Sequence, residues 1–318
     1  MKRTDSLSIS LQKCRRQLTL RNAARNWDLY LFLLPTLIYF ALFHYGPMYG
    51  LQIAFKDYKA VFGISGSAWM DPWYGQFARL FKTSMFRTVL GNTLLLSFYS
   101  LVFGFLPPIL LALLINQVPH LRFKKLVQTV SYAPHFISIV VMVSLLQCLL
   151  STSNGIVNRL LGLLGITPVP FMRDAKYFRA VYVVSDIWQN MGFSAIIYIA
   201  ALSAVDPSLH EAAIIDGANK FRRIWHIDVP GILPTIVILL ILRSGSIMSI
   251  GFQKTYLMQT SLNLPASEII STYVYKVGLE QADFSFSTAV GLFNSVVNFA
   301  IIIVVNAISR RLNQTSLW

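Results

Sequence analysis

Hydrophobic and polar positions along this chain fall into long blocks, with neither strict alternation nor a heptad. Runs free of Asp, Glu, Lys and Arg extend over 29–55, 88–121, 126–158, 187–205 and 284–309, and a sixth, 229–253, is broken only by Arg243. As helix, each is long enough to cross about 30 Å of hydrocarbon. Pro35, Pro107, Pro108, Pro134 and Pro234 lie inside these runs. They do not veto helix, since transmembrane helices tolerate proline better than soluble ones. The pattern predicts an all-α polytopic membrane protein with six transmembrane helices.

Composition agrees. Of 318 residues 55% are hydrophobic and 13% charged, about half the charged share (roughly 25%) of an ordinary soluble protein. The net charge of +14 favours contact with anionic lipid, nucleic acid or an acidic substrate, and in so apolar a chain lipid comes first. Cys14 and Cys148 offer neither a disulfide framework nor metal-site spacing.

Residues 1–28 form a basic tail, and the run behind it has no small-residue cleavage signature, so it reads as an uncleaved signal anchor. With that tail in the cytoplasm, basic residues concentrate in the tail and at Arg122–Lys125, Lys220–Arg223 and Arg310–Arg311. The positive-inside rule then puts both termini in the cytoplasm, including a short tail at 311–318, with 29–310 as the membrane domain. The outer loops are long. In the first, Trp73, Phe77, Leu80 and Phe81 share a face at helical spacing, which predicts a short helix on the outer leaflet or a docking surface for an extracellular partner.

The loop at 206–230, between the fourth and fifth runs, carries the strongest local signals. Asp206 can cap a helix that begins at Pro207, and Glu211 complements its dipole. Gly217 can take the positive φ that ends it, and a second helical stretch runs through Phe221–His226 until Pro230 opens the fifth span. This helix, turn and helix would project from the bundle, offering Leu209, Ala212, Ala213 and Ile215 to a groove on a partner.

Glu211-Ala212-Ala213, Asp216-Gly217, then Ile227 and Pro230 resemble the EAA loop of the membrane permeases of binding-protein-dependent ABC importers, with Val229 where leucine is usual. The text at Trp188–Phe193, Tyr198–Leu202, Ala218-Asn219 and Ser309–Trp318 is similar to carbohydrate-uptake permeases, in particular those of the LplB or YteP type that import complex oligosaccharides. The resemblance implies the type I importer permease fold in a bacterial cytoplasmic membrane. It also implies a second, homologous permease subunit, two cytoplasmic ABC ATPase subunits and an extracytoplasmic solute-binding protein. The loop would then be the coupling helix seated in an ATPase cleft, through Glu211, Ala212, Ala213, Asp216, Gly217 and Pro230.

Other chemistry finds little support. The chain has no Gly-Lys dipeptide and so no P-loop; ATP and Mg would belong to the partner ATPase, and the chain itself needs no cofactor. Its five histidines are scattered without metal-ligand spacing, and no catalytic constellation emerges. An ion-coupled secondary transporter or a channel is the alternative, but such a protein would be expected to place carboxylates within its spans, and only Asp186 comes close. Trp188 and Asn190 in the fourth run, and Arg243 in the fifth, are the candidate residues of a substrate path. An aromatic face stacks on sugar C–H groups, amides bond hydroxyls, and a guanidinium grips a carboxylate through two parallel bonds. Arg243 would suit an acidic, uronate-containing oligosaccharide, or else bind backbone carbonyls or a polar group on the partner permease. Twelve residues from Gly231, it is expected near mid-membrane.

Overall fold

A computed structural model describes residues 26–313, and the tails at 1–25 and 314–318 lie outside the described residues. The described residues form helices joined by loops, with one isolated β-bridge among them, Lys56 to Trp69. Among the described residues four helices are long and apolar enough to cross a membrane: α1 (Trp27–Phe55), α3 (Ser84–Asn116), α9 (Lys220–Ser244) and α13 (Phe284–Arg311). Two bent pairs raise the number to six if each pair is one span. These are α4 (Leu121–Phe136) with α5 (Ile139–Leu149), bent by 99°, and α7 (Ala175–Leu202) with α8 (Pro207–Ile215), bent by 77°.

Three expectations about spans are corrected. The run 126–158 is not one helix. Pro134 sits in a 3₁₀ turn over Ala133–Phe136, Ile137 is extended, and Ser138 starts a new helix by accepting from the Val141 N–H. A proline without its N–H, followed by a competent cap, ends one helix and begins another. The run 187–205 understates its helix, because α7 starts at Ala175 and carries Lys176, Arg179 and Asp186. Arg179 donates to Asn92 Oδ1 at 2.9 Å, and Asp186 lies 3.5 Å from Lys254 Nζ. The fifth helix ends at Ser244 instead of continuing to 253, so Arg243 occupies its last turn and Ser246 lies beyond it.

Core contacts form three clusters along α3. Phe86 and Val89 pack with Leu80, Met248, Val277 and Phe286; Leu96 packs with Val143, Phe178 and Met258; Ile109, Ala112 and Leu113 pack with Ala195, Tyr198 and Ile232. Gly192 lets α7 approach α4 closely, since a Cβ there would collide with the Ser131 backbone. By contrast, α1 buries none of its apolar window against the rest of the chain.

The short helix expected on the outer leaflet exists as α2 (Gly75–Lys82), but it docks on the chain itself. Leu80 is fully buried, Phe81 meets Phe86 and Phe293 edge to face, and Arg79 pairs with Asp283 at 2.7 Å. Trp73 precedes the helix and remains exposed. Further in, α10 (Phe252–Met258), α11 (Leu264–Ser267) and α12 (Ile270–Tyr275) fold back onto α3 and α7. Buried Glu268, paired with Lys276 at 2.7 Å, helps fix that segment.

Candidate functional site

The structure groups the candidate residues into two places. At the foot of the bundle, Asp206 caps α8 by accepting from the Ser208 N–H at 2.9 Å, an interaction that holds its carboxyl below the usual range. The helix ends at Asp216 with Gly217 at φ +74°. Ala218 N–H donates to the Ala213 carbonyl and Gly217 N–H to that of Ile214, so a Schellman turn satisfies the last carbonyls. Asn219 then caps the next helix by accepting from the Arg222 N–H. A π-turn over Ile224–Asp228 follows, and the helix continues through Pro230 to Ser244. Pro230 thus sits in the first turn of the α-helical stretch Val229–Ser244, where a missing N–H is tolerated, directly behind the π-turn of a helix that begins at Lys220.

Glu211, Ala212, Asp216 and Gly217 are exposed, and Ala213 is half-buried. Ile215 (86%), Phe221 (74%) and Trp225 (62%) show large apolar surface. An exposed apolar hairpin carrying the exposed acidic side chains Glu211 and Asp216 is the shape of a docking element.

The second place lies between α3, α7 and the end of α9. A cavity of about 580 Å³ is lined by Phe105 and Pro108 of α3, Phe193, Ser194 and Tyr198 of α7, and Leu239 and Arg243 of α9. A smaller one of about 150 Å³ is lined by Ser97, Ser100, Asp186, Arg243, Ser246 and Ser249. Arg243 and Ser246 line both. Among the described residues, Arg243 has no carboxylate within ion-pair distance and no side-chain hydrogen bond, so the expected structural bond to backbone carbonyls within this chain is not made. The Ser100 hydroxyl is buried without a partner. Ser97 instead donates to the Ile247 carbonyl, holding the turn after α9 against α3.

Asn190 does not face this cavity as a free amide. Its Nδ2 donates to Asp186 Oδ1 at 3.0 Å and its Oδ1 meets His135 Nδ1 at 3.0 Å. Lys254 continues the polar row, donating to the Tyr182 carbonyl and lying over its ring. Burial pushes the Lys254 ammonium below its ordinary value, and Asp186 pulls it back. Trp188 turns to a different surface, an apolar cavity of about 490 Å³ shared with Met142, Leu145, Leu149 and Phe171. Sequence reasoning missed Ser97 and Ser100, which share the smaller cavity with Arg243, and Lys254 as the partner of Asp186. No motif joins them, and only the turn after α9 and the fold-back of α10 bring them together.

A helical membrane bundle with a charged internal cavity and an exposed helix hairpin at its foot defines the class of membrane transport permeases. The chain belongs to the family described as "Binding-protein-dependent transport system inner membrane component", which matches residues 96–314. It is 44% identical to the polygalacturonan/rhamnogalacturonan transport system permease protein YteP of Bacillus subtilis (strain 168), over 91% of this chain and 90% of that one. To Protein LplB of the same organism it is 43% identical, over 91% of each. Among solved structures it is similar to a chain of a bacterial alginate ABC transporter in complex with an alginate pentasaccharide-bound periplasmic protein. That match has a TM-score of 0.85 and 41% identity, and covers 93% of this chain and 99% of the other.

Proposed function

We propose that this chain is the permease subunit of an ABC importer that takes up acidic oligosaccharides of the uronate-containing kind. A guanidinium that has no hydrogen bond or ion pair among the described residues, in the cavity between α3, α7 and α9, carries the reading. A cation at membrane depth costs on the order of 2.5–3.5 kcal/mol on insertion scales unless a polar cavity or partner receives it. A carboxylate offered by substrate would bind it bidentately, and Ser100, Ser246 and Ser249 would bond sugar hydroxyls. The relatives named for polygalacturonan/rhamnogalacturonan transport and for alginate, an acidic polysaccharide, support the same substrate class.

In this reading a solute-binding protein delivers substrate at the outer face. The chain pairs with a second permease, and the loop 206–230 seats in one of two ATPases that supply ATP and Mg chemistry. Both tails, 1–28 and 311–318, face the cytoplasm, and 29–310 forms the permease domain. Trp188 leaves the substrate path for an apolar surface, while Asn190 serves it by orienting Asp186.

The test is uptake by Arg243→Gln in the reconstituted complex. Loss of acidic oligosaccharide uptake by about tenfold or more, with neutral oligosaccharide uptake and complex yield retained, is the expected outcome. An unchanged acidic-to-neutral ratio, or failure to assemble, would remove Arg243 from the path.

A further inference from the structure

Helix α8 is attached to the bundle in an unusual way. It buries none of its residues. Among the described residues, the single side-chain hydrogen bond or ion pair from α8 to a distant element runs from His210. Its Nε2 lies 3.2 Å from Oδ1 of Asp228, an ion-pair contact outside hydrogen-bond geometry, and Asp228 is completely buried in the π-turn of α9. The other oxygen, Oδ2, accepts from Gln117 Nε2 at 2.9 Å, at the cytoplasmic end of α3. One buried carboxylate therefore joins three elements: the exposed hairpin, α9 and α3.

The geometry beyond Asp228 gives that junction a direction. The helix runs unbroken from Asp228 to Arg243, fifteen residues or about 22 Å. Helices α3 and α9 also supply two walls of the cavity beside Arg243. A π-turn is a locally weaker stretch of helix and is common at functional sites. Here it sets the buried carboxylate where it meets both His210 and Gln117. A displacement of α8 can act through its covalent connections, 203–206 to α7 and 216–219 to α9, or through Asp228, and of these only the Asp228 contact also reaches α3.

We infer that the His210–Asp228–Gln117 chain is the tether through which movement of α8 is passed to the two cavity-lining helices. His210 is thus a positioning residue of the transport cycle. The inference rests on the reading of α8 as the ATPase contact. A buried carboxylate retains its charge economically only while paired, so the His210 and Gln117 contacts, with the Arg223 charge nearby, resist separation from Asp228. Exposed Glu211, one residue along the same helix, makes no such contact among the described residues and stays available to a partner.

The experiment uses the full complex in lipid nanodiscs, with partner permease, ATPases and binding protein. It measures retained ATPase, basal hydrolysis, binding-protein-stimulated hydrolysis and, in proteoliposomes, uptake. His210→Ala should retain the ATPase and basal hydrolysis yet lose stimulation and uptake by about tenfold, within the span of typical coupling energies. Gln117→Leu severs only the α3 arm and should show the same split, which keeps the test decidable if His210→Ala accumulates poorly. Normal stimulation and uptake in Gln117→Leu would overturn the tether, as would release of the ATPase by His210→Ala, which would make His210 part of the contact itself. Glu211→Lys separates the two readings. If it uncouples while both tether variants behave as wild type, the tether alone falls. Should all three remain coupled, the reading of α8 as the ATPase contact falls with it.

Discussion

At the scale of single residues, charges in this bundle divide into paired and unpaired ones, and the division predicts different phenotypes. Lys254 is 4% exposed and leans on Asp186, on the Tyr182 carbonyl and on the Tyr182 ring. Removing one member of a buried pair strands the other, at a cost of about 3–5 kcal/mol when both are fully buried and less here because Asp186 is partly open. Asp186→Asn should therefore lower the thermal midpoint of the solubilised complex, and Lys254→Met combined with it should recover most of the loss. A midpoint that does not move in the single variant would show that the pair contributes nothing. Arg243 behaves oppositely: because it has no carboxylate partner among the described residues to strand, its replacement should register in selectivity before stability. The carbohydrate-path residue types were legible in the sequence, but which of them met was not. Asn190 and Trp188 are two positions apart in one helix, and so fall on different faces, one on Asp186 and one in an apolar cavity.

At the scale of elements, two glycines decide whether helices can sit where they do. Gly217 holds φ +74° at the end of α8. A β-branched residue there is strained by about 1–3 kcal/mol, so Gly217→Val should insert and assemble yet lose binding-protein-stimulated ATP hydrolysis. Normal stimulation would mean that the turn tolerates other geometries. Gly192 serves close packing instead of backbone freedom. Its φ is ordinary helix, but any Cβ meets the Ser131 backbone. Overpacking at such a contact costs about 1–3 kcal/mol, and Gly192→Val should reduce folded complex yield, as measured by size-exclusion chromatography, without altering ATPase affinity. Caps were readable in the loop because Asp206-Pro207 and Gly217 are local signals acting over one turn. The elbow between α4 and α5 was not, because hydropathy does not register Pro134 and Ser138 acting in series.

At the scale of the whole molecule, the distribution of Lys and Arg carries an orientation. Reporters fused after Leu20 and after Trp318 should read as cytoplasmic, and one inserted near Ser65 as external. A reporter at Trp318 that reads external would remove one span. The exposed apolar length of α1 calls for lipid or another subunit around it. The bundle's own cohesion comes from α3, whose successive turns contact every core cluster.

By itself the sequence determined the helical class, the number of membrane crossings to within its bent pairs, the helix–turn–helix at 206–230 and the family. Each of these rests on signals that are local or additive: hydropathy over about twenty residues, caps within a turn, a motif within a loop. Only the tertiary structure decided that Arg243 lines a cavity beside Asp186, that Asp186 serves Lys254 and Asn190, and that His210 reaches Asp228. Those contacts join residues far apart in the chain, and they depend on where a helix ends. With the fifth helix stopping at Ser244, the turn behind it folds against α3, and a pattern of hydrophobic runs carries no information about that return.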